Sequence, residues 1–368
     1  MSLPDAGRTT GLGPRRRGAR LWRVLALLTA LPLAALTVFR AVPGEWPAAV
    51  EQWLAFTPWL VLPAGAGLLF AVLGRRAWLI VVAAGLLAVQ LFWLFPQDYL
   101  FPQSNAGETP GGTARDTPAG GARTVQLKVM DINAELGGAD AAEIVRLVRD
   151  NGIGLLTIQE HTPALQERLA AQGLASLLPN RISRPVNGAA GSAFYSLHPL
   201  QPLGALPDSQ FQVPTVRLTL RTYGPSGSPP GGQTDGQSAV LDVTNVHAQP
   251  PVGGRVERWR SDLAAIGRLT AGPGNLLLAG DFNATYDHSE FRQILHGGPG
   301  GRQMVDVGTA VGSRLVPTWP MDGQLLPGVV IDHLVTSPQV RATAYSVHRV
   351  AGTDHAAIMA TLAVPAAP

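Results

Sequence analysis

Leu278-Ala279-Gly280-Asp281-Phe282-Asn283 decides how the rest of this chain is read. A Leu-rich apolar run stops abruptly at a carboxylate and an amide two positions apart, and strand side chains alternate between faces with a period of two. Asp281 and Asn283 are therefore expected on one face at the end of a buried strand, with Phe282 turned into the opposite layer. Gly280, lacking a Cβ, permits another backbone to come close there. Alone, such a stretch reads as a strand followed by an Asx turn.

It is not alone. Five other strand-like runs finish in polar groups: Asp131-Ile132-Asn133-Ala134-Glu135, Thr157-Ile158-Gln159-Glu160, Thr244-Asn245-Val246-His247, Val330-Ile331-Asp332-His333 and Gly352-Thr353-Asp354-His355. Each by itself is an ordinary cap or turn. Six strands ending in Asn, Asp, Glu or His form a constellation suited to a hard divalent cation and a phosphate. Carboxylates hold Mg²⁺ with retained waters, and amide or imidazole donors stabilise phosphoryl oxygens.

Between these ends, helical spacing marks Ala139–Arg149, Pro163–Ala171 and Val256–Thr270. Strands are expected at 125–132, 153–158, 193–196, 213–221, 239–246, 275–279, 329–335, 343–350 and 356–364. Helices alternate with strands but several strands are adjacent, so the sheets must be mixed. The order predicts an α/β (α+β) fold over 124–368, a four-layer α/β/β/α sandwich of two mixed sheets. The breaker-rich stretch from Tyr223 to Ser238 reads as a long exposed loop.

The N-terminal third is different in kind. Leu21 to Phe39, Thr57 to Leu73 and Ala77 to Phe95 are almost wholly apolar, each near the ~20 residues that span a bilayer. A cleaved signal peptide accounts for the first at most, not for all three. The chain thus divides into a basic tail (1–20), a three-span transmembrane anchor (21–95), a Pro/Gly/Thr/Ala-rich tether (96–123) and the folded domain (124–368). Arginines crowd before Leu21 and recur at Arg75-Arg76, whereas the loop from Ala41 to Phe56 carries Glu45 and Glu51 with no Lys or Arg. The positive-inside rule then places the domain outside the cytoplasm, on a multi-pass cell-membrane anchor.

Charge is distributed accordingly. Before Thr124 there are eleven Arg against six acids, and from Thr124 on seventeen Lys plus Arg against nineteen acids. The nominal +3 therefore belongs to the tail and gives no electrostatic footprint for nucleic acid on the domain. With no cysteine, disulfides, thiolate metal sites and thiol nucleophiles are excluded. Three spans with no ionisable residue beyond Arg23, at the start of the first, offer no transport pathway.

The ordered set Asn133, Gln159-Glu160, Asn245-Val246-His247, Gly280-Asp281-Phe282-Asn283, Ile331-Asp332-His333 and Thr353-Asp354-His355 resembles the endonuclease/exonuclease/phosphatase superfamily. That superfamily includes pancreatic-type deoxyribonucleases, apurinic endonucleases, neutral sphingomyelinases and inositol-polyphosphate phosphatases. The likeness covers nearly all of the chain from Thr124. His198 stands where the superfamily commonly carries a basic residue before Xaa-Pro, and Thr318-Trp319-Pro320 recurs in small bacterial members.

The resemblance implies in-line hydrolysis of a phosphate ester with Mg²⁺ or Mn²⁺ on the phosphate. Glu160 would be the principal metal ligand, with Asn133 beside it. Glu135 would bind a second metal or its water if the strand continues past Asn133, and Asp354 would be a further metal contact or an orienting partner. His355, oriented by Asp332, would act as general base or as a phosphate-stabilising imidazolium. Asp281 would orient the attacking water, with either Asp281 or His355 accepting its proton, while Asn283 and His247 would bind the phosphate. His161 reads as a surface residue and Tyr195 as core or rim. Arg255, Arg258 and Arg260 read as a solvated helix face.

His247 stands where apurinic endonucleases tend to carry a tyrosine, which favours the other branches. Tethering to a bilayer makes a lipid headgroup phosphodiester a candidate substrate, with nucleic acid an equal rival. No obligate protein partner is evident. The alternative is a non-catalytic membrane receptor or scaffold that kept the fold.

Overall fold

The computed structural model describes residues 14–95, 123–221, 238–297, 300–323 and 327–366. The tether at 96–122 and the loop at 222–237 lie outside the described residues. The chain forms two compact units, one of residues 14–45 with 56–95, the other of 46–55 with the described residues from 123 on.

In the first unit, α1 (Pro14–Ala41), α3 (Val61–Gly74) and α4 (Ala77–Leu94) pack together, while α2 (Ala48–Leu54) belongs to the second. Three stretches, Gly18–Ala41, Thr57–Gly74 and Ala77–Leu94, are long and apolar enough to cross a membrane, with mean hydropathy 2.0, 1.6 and 2.2. Two of their polar side chains donate within the unit, as apolar surroundings favour. Arg23 Nε donates to Gly74 O at 2.7 Å, and Gln90 Nε2 to Thr37 Oγ1 at 2.9 Å.

The second unit holds twelve strands among the described residues: β1 (Thr124–Asn133), β2 (Leu155–Gln159), β3 (Asn180–Arg184), β4 (Ser192–Ser196), β5 (Leu200–Ala205), β6 (Pro214–Arg221), β7 (Ser238–His247), β8 (Leu276–Asp281), β9 (Val305–Asp306), β10 (Asp332–Thr336), β11 (Arg341–Arg349) and β12 (Ala356–Pro365). They form two six-stranded sheets, ordered β11-β12-β1-β2-β4-β3 and β5-β6-β7-β8-β10-β9. In each the central pair, β1·β2 or β7·β8, is parallel and the other pairs are antiparallel. The fold is the mixed two-sheet α/β sandwich that the element order predicts.

Two helices, α5 (Ala141–Asn151) and α6 (Pro163–Ala171), cover the first sheet through Ile144, Val148, Leu165 and Leu169. Asp140 starts α5 by accepting from Ala142 N and Glu143 N, and Thr162 caps α6 ahead of Pro163. The short α7 (Leu174–Leu177) follows; α8 (Val256–Arg268) and α9 (Ser289–Leu295) cover the second sheet through Trp259, Leu263, Phe291 and Ile294.

Strand parity positions the site. The faces between the sheets carry Val125, Leu127 and Val129 of β1, Leu241 and Val243 of β7, and Leu277 and Ala279 of β8. Counting on by twos, the same faces reach Asp131 and Asn133, then Asn245 and His247, then Asp281. On β10, antiparallel to β8, Asp332 sits opposite Asp281. One end of the inter-sheet core thus changes from aliphatic to polar on several strands together. Three strands have no counterpart among those expected from the sequence: β3 and β5 are edge strands without clean alternation, β5 being irregular at Pro202/Gly204, and β9 is only two residues long.

Candidate active site

The polar end is a continuous hydrogen-bonded cluster with Asp281 at its centre. Asp281 Oδ2 accepts from Asn133 Nδ2 and from Asn283 Nδ2, each at 3.1 Å. It lies 3.9 Å from both His247 Nε2 and His355 Nε2. Asn283 N donates to Asp281 Oδ1 at 2.8 Å, closing the Asx turn that the sequence foreshadows, and Asn283 Nδ2 also reaches Ala248 O. The close approach at Gly280 is real, because a Cβ there would fall 2.0 Å from Val246 O on β7.

Glu160 follows β2 with φ of 53°, in the left-handed region that non-glycine residues seldom occupy. That turn folds its side chain back over the strand end. Oε1 lies 3.4 Å from Asn133 Nδ2 and 3.7 Å from His247 Nε2, and Oε2 accepts from Leu136 N at 2.6 Å. Glu135, Leu136 and Asn283 also have positive φ, at 42°, 54° and 48°. β1 ends at Asn133, so Glu135 reaches the site by this turn and not by strand alternation. Residues held in sparsely populated backbone regions around one cluster are a recognised mark of functional sites.

A second group joins from the C-terminal strand. Both oxygens of Asp332 lie 3.0 Å from His355 Nδ1, fixing the ring and presenting Nε2 to the cluster. Asp354 Oδ1 is 3.8 Å from His355 Nε2, while Asp354 Oδ2 accepts from Trp319 Nε1 at 2.8 Å and Glu135 Oε2 accepts from Asp354 N at 2.7 Å. Thr318 Oγ1 accepts from Ile331 N and Asp332 N, anchoring the start of β10. All nine residues singled out in the sequence are thereby gathered into one cluster.

Burial and charge set the proton affinities. For His355, burial opposes the charged ring, but Asp332, with Asp281 and Asp354 beyond it, prevails and pushes it up to about 10. His247 is pushed down to about 3 by burial and by the neighbouring His355, and is neutral. Burial, reinforced by Asp332, raises Asp281 to about 7 despite the opposing pull of His355. Beneath them Asp131, bonded to Thr157 and Gln159, is raised to about 8, chiefly by burial.

The donor set fits a hard divalent cation. Among the described residues Asp281, Asp332 and His355 offer ligand atoms within 4.8 Å of one another. Glu160 shares the Asn133 amide with Asp281, and Glu135 joins through Asp354, which lies beside His355. Both Asp332 oxygens already serve His355. The Asn133 oxygen accepts from Glu135 N at 3.1 Å, which turns its NH₂ toward Glu160 and Asp281. A testable consequence concerns stability. Because folding raises the Asp281 pKa from 3.8 to about 7, this group's contribution is most favourable below about pH 4 and is lost as pH rises through 7. A cation among the carboxylates offsets that loss, so the gain in Tm on adding Mg²⁺ is expected to be larger at pH 8 than at pH 5.

Several residues depart from the sequence reading. His161 is not at the surface: it is fully buried, with Nε2 3.2 Å from Tyr195 Oη. His198 lies at the opposite end of β2 from Glu160, near Gly154, and so cannot steer phosphate at this cluster. His333 faces the helix layer, paired with Asp306 at 3.2 Å. Arg260 is not on a solvated face, as described below. Phe211, which no motif marks, stacks on His247 with ring centroids 4.1 Å apart.

Among solved structures, similarity extends to D. rerio TDP2 complexed with a single-strand DNA product, at 15% identity over 64% of this chain and 98% of that chain, TM-score 0.47. An AP endonuclease from Archaeoglobus fulgidus matches at 14% identity over 64% and 98%, TM-score 0.47. An endonuclease/exonuclease/phosphatase from Beutenbergia cavernae matches at 18% over 65% and 72%, TM-score 0.44. No curated protein matches the sequence. The model of the Endonuclease/Exonuclease/phosphatase family matches residues 132–355, more than half of the chain and the whole span from the end of β1 to His355, and this chain belongs to that family.

Proposed function

We propose that this protein is a membrane-anchored, divalent-metal-dependent phosphodiesterase that hydrolyses its ester by in-line attack of water. The observation that carries the reading is the convergence of Asp281 with the Asp332-oriented His355, Asn133, Glu160, His247 and Asn283 at one end of the sandwich. A scaffold that had abandoned catalysis has no need to keep a buried carboxylate at its centre. The fold's family supports the reaction class.

Glu160, with Glu135 and Asp354, would hold Mg²⁺ or Mn²⁺, while Asn133, whose oxygen is taken by Glu135 N–H, would orient the Glu160 and Asp281 carboxylates through its NH₂. When bound, the cation supplies Lewis acidity at a phosphoryl oxygen and offsets the buried negative charge. Asp281, ionising near neutral pH, has the affinity expected of a general base. It takes the proton of the attacking water as the new P–O bond forms and the ester P–O bond breaks; the leaving oxygen recovers a proton from solvent. His355, protonated until about pH 10, serves as an imidazolium donor to the phosphate and not as the base. Neutral His247 adds a hydrogen bond to a non-bridging oxygen, and the Asn283 amide, bonded to Asp281 and to Ala248 O, holds the base in place.

This division of labour has a pH signature. kcat/KM is expected to rise as Asp281 ionises and to fall as His355 loses its proton. In Asp332→Asn the imidazolium loses its nearest carboxylate, so the alkaline limb should move to lower pH; the acid limb, which Asp332 also holds up, should follow it by less, because burial is the larger cause there. A pH–rate profile of the two proteins checks this; an unmoved alkaline limb contradicts the imidazolium assignment.

The apolar helices support a lipid headgroup ester as the substrate class. Three helices able to cross a membrane, and the arginine distribution around them, support a multi-pass protein with its catalytic unit outside the cytoplasm, beside lipid headgroups. The domain's slight acidity disfavours avid duplex binding. The test is Mg²⁺- or Mn²⁺-dependent release from phospholipid vesicles and from plasmid DNA, side by side, with full-length protein and His355→Ala. Headgroup release lost in the variant supports the lipid reading, DNA nicking lost in the variant replaces it with a surface nuclease, and inactivity on both substrates and on smaller phosphoesters overturns the enzyme reading.

A further inference from the structure

The loop between the first two apolar helices reads in the sequence as an external part of the transmembrane anchor, marked by its two glutamates. Instead Trp46–Ala55 is part of the catalytic unit. α2 turns Glu51 and Leu54, one helical turn apart, inward, and both are almost fully buried. Gln52 and Trp53 remain exposed.

Glu51 is held by Arg260 of α8. The guanidinium, with 11% of its side chain exposed, donates to Glu51 Oε1 at 2.9 Å, to Glu257 Oε1 at 2.8 Å and to the Trp46 carbonyl, and approaches Glu290 Oε1 at 3.4 Å. A buried carboxylate on a short connecting loop is costly unless a partner is built for it, and Arg260 is that partner. Burial and Glu290 raise the Glu51 pKa to about 7 even so.

The contacts then run toward the reaction centre. Thr285 N donates to His288 Nδ1 at 2.9 Å, which leaves the proton of this buried imidazole on Nε2. Nε2 in turn donates to the Glu51 carbonyl at 2.9 Å. Thr285 lies two residues after Asn283, so one backbone carbonyl of α2 ties down the loop that leaves β8 through the site. Gln52 Nε2 donates to the Pro251 carbonyl at 3.1 Å, in the loop that leaves His247. Asn283 Nδ2 already joins the two loops through Ala248 O.

We infer that Trp46–Ala55 is a built-in positioning element, docked through Glu51, Gln52 and the Glu51 carbonyl, that holds the loops after β7 and β8 in register and so fixes Asn283 and His247 for turnover. The docking stands on these contacts alone, and its effect on rate rests on the hydrolase reading above. A catalytic domain cut from the chain at Thr124 lacks this element.

The test uses full-length protein in detergent micelles, comparing wild type, Glu51→Lys, Gln52→Ala and the swapped pair Glu51→Lys/Arg260→Glu. Glu51→Lys sets a cation against Arg260, and amide hydrogen exchange at 248–256 and 283–292 is expected to quicken about tenfold or more, with β1 and β12 unchanged. The swapped pair should recover much of that protection. With Mn²⁺ and a simple phosphodiester, kcat should fall about tenfold in Glu51→Lys while KM moves far less, the pattern of lost positioning. If Glu51→Lys does not fold, Gln52→Ala, on an exposed side chain, decides: faster exchange at Val252 and Gly253 supports docking. Unchanged exchange in both single variants overturns it. Altered exchange with unchanged kcat overturns the positioning role, and altered exchange in a protein whose wild type hydrolyses nothing supports the docking and overturns the hydrolase reading instead.

Discussion

Glu160→Gln is expected to lower kcat/KM on a phosphodiester by about 10³-fold, roughly 4 kcal/mol of transition-state stabilisation. The substitution is nearly isosteric and leaves the unusual backbone at this position in place, so the fold should persist. What goes is the charge: Glu160 stands 3.7 Å from His247 and 3.4 Å from the Asn133 amide, and its other oxygen is taken by Leu136 N–H. Neutral Gln offers a divalent cation one carbonyl oxygen in place of a carboxylate. Two readings therefore accompany each other: activity falls, and the Tm gain on adding Mn²⁺ shrinks. Full activity in Glu160→Gln would remove this residue from the machinery.

The second large effect is on stability. Gly280→Ala places a methyl 2.0 Å from Val246 O, 2.8 Å from Val246 C and 2.9 Å from Gln159 Nε2, at a φ of +143° that L side chains rarely adopt. Two of those atoms are backbone in the central parallel pair β7·β8, where Val246 is the partner of Gly280, so the neighbour cannot step aside. Backbone strain and overpacking together are expected to cost about 4 kcal/mol, lowering Tm by about 10 °C. Calorimetry on the two proteins measures it directly. A shift of a degree or less would mean that β7 and β8 do not meet as described.

The same glycine shows what the sequence discloses and what it withholds. The period of two along Leu277, Ala279 and Asp281, and along Val243, Asn245 and His247, is a property of any strand, so residue order alone assigns the polar ends to faces. The Asp332–His355 pair was legible because two short motifs name it. Backbone turns were not. Glu135, Glu160 and Asn283 owe their positions to positive φ, which residue type alone does not announce for Glu. His161 and Phe211 sit in no motif, and their burial or stacking depends on loops remote in sequence.

Glu51 is the sharpest case. An acid in a short loop between two apolar runs reads as a topological marker, and nothing local predicts its partner Arg260, 209 residues away. Arg260 in turn reads as one of three arginines on a helix face. Neither is interpretable without the other, which is the general reason that long-range buried ion pairs escape reading from sequence.

The measurement that bears most directly on the central claim is turnover of a simple phosphodiester such as bis(4-nitrophenyl) phosphate. It compares full-length protein with its Asp281→Asn variant, each with Mn²⁺ and with chelator. Asp281 is the hub of the cluster and the proposed base, so wild type should release 4-nitrophenol only with the metal, and the variant should fall to background while folding normally. Equal release by the two proteins, or release indifferent to chelation, would contradict a metal-dependent hydrolysis centred on Asp281.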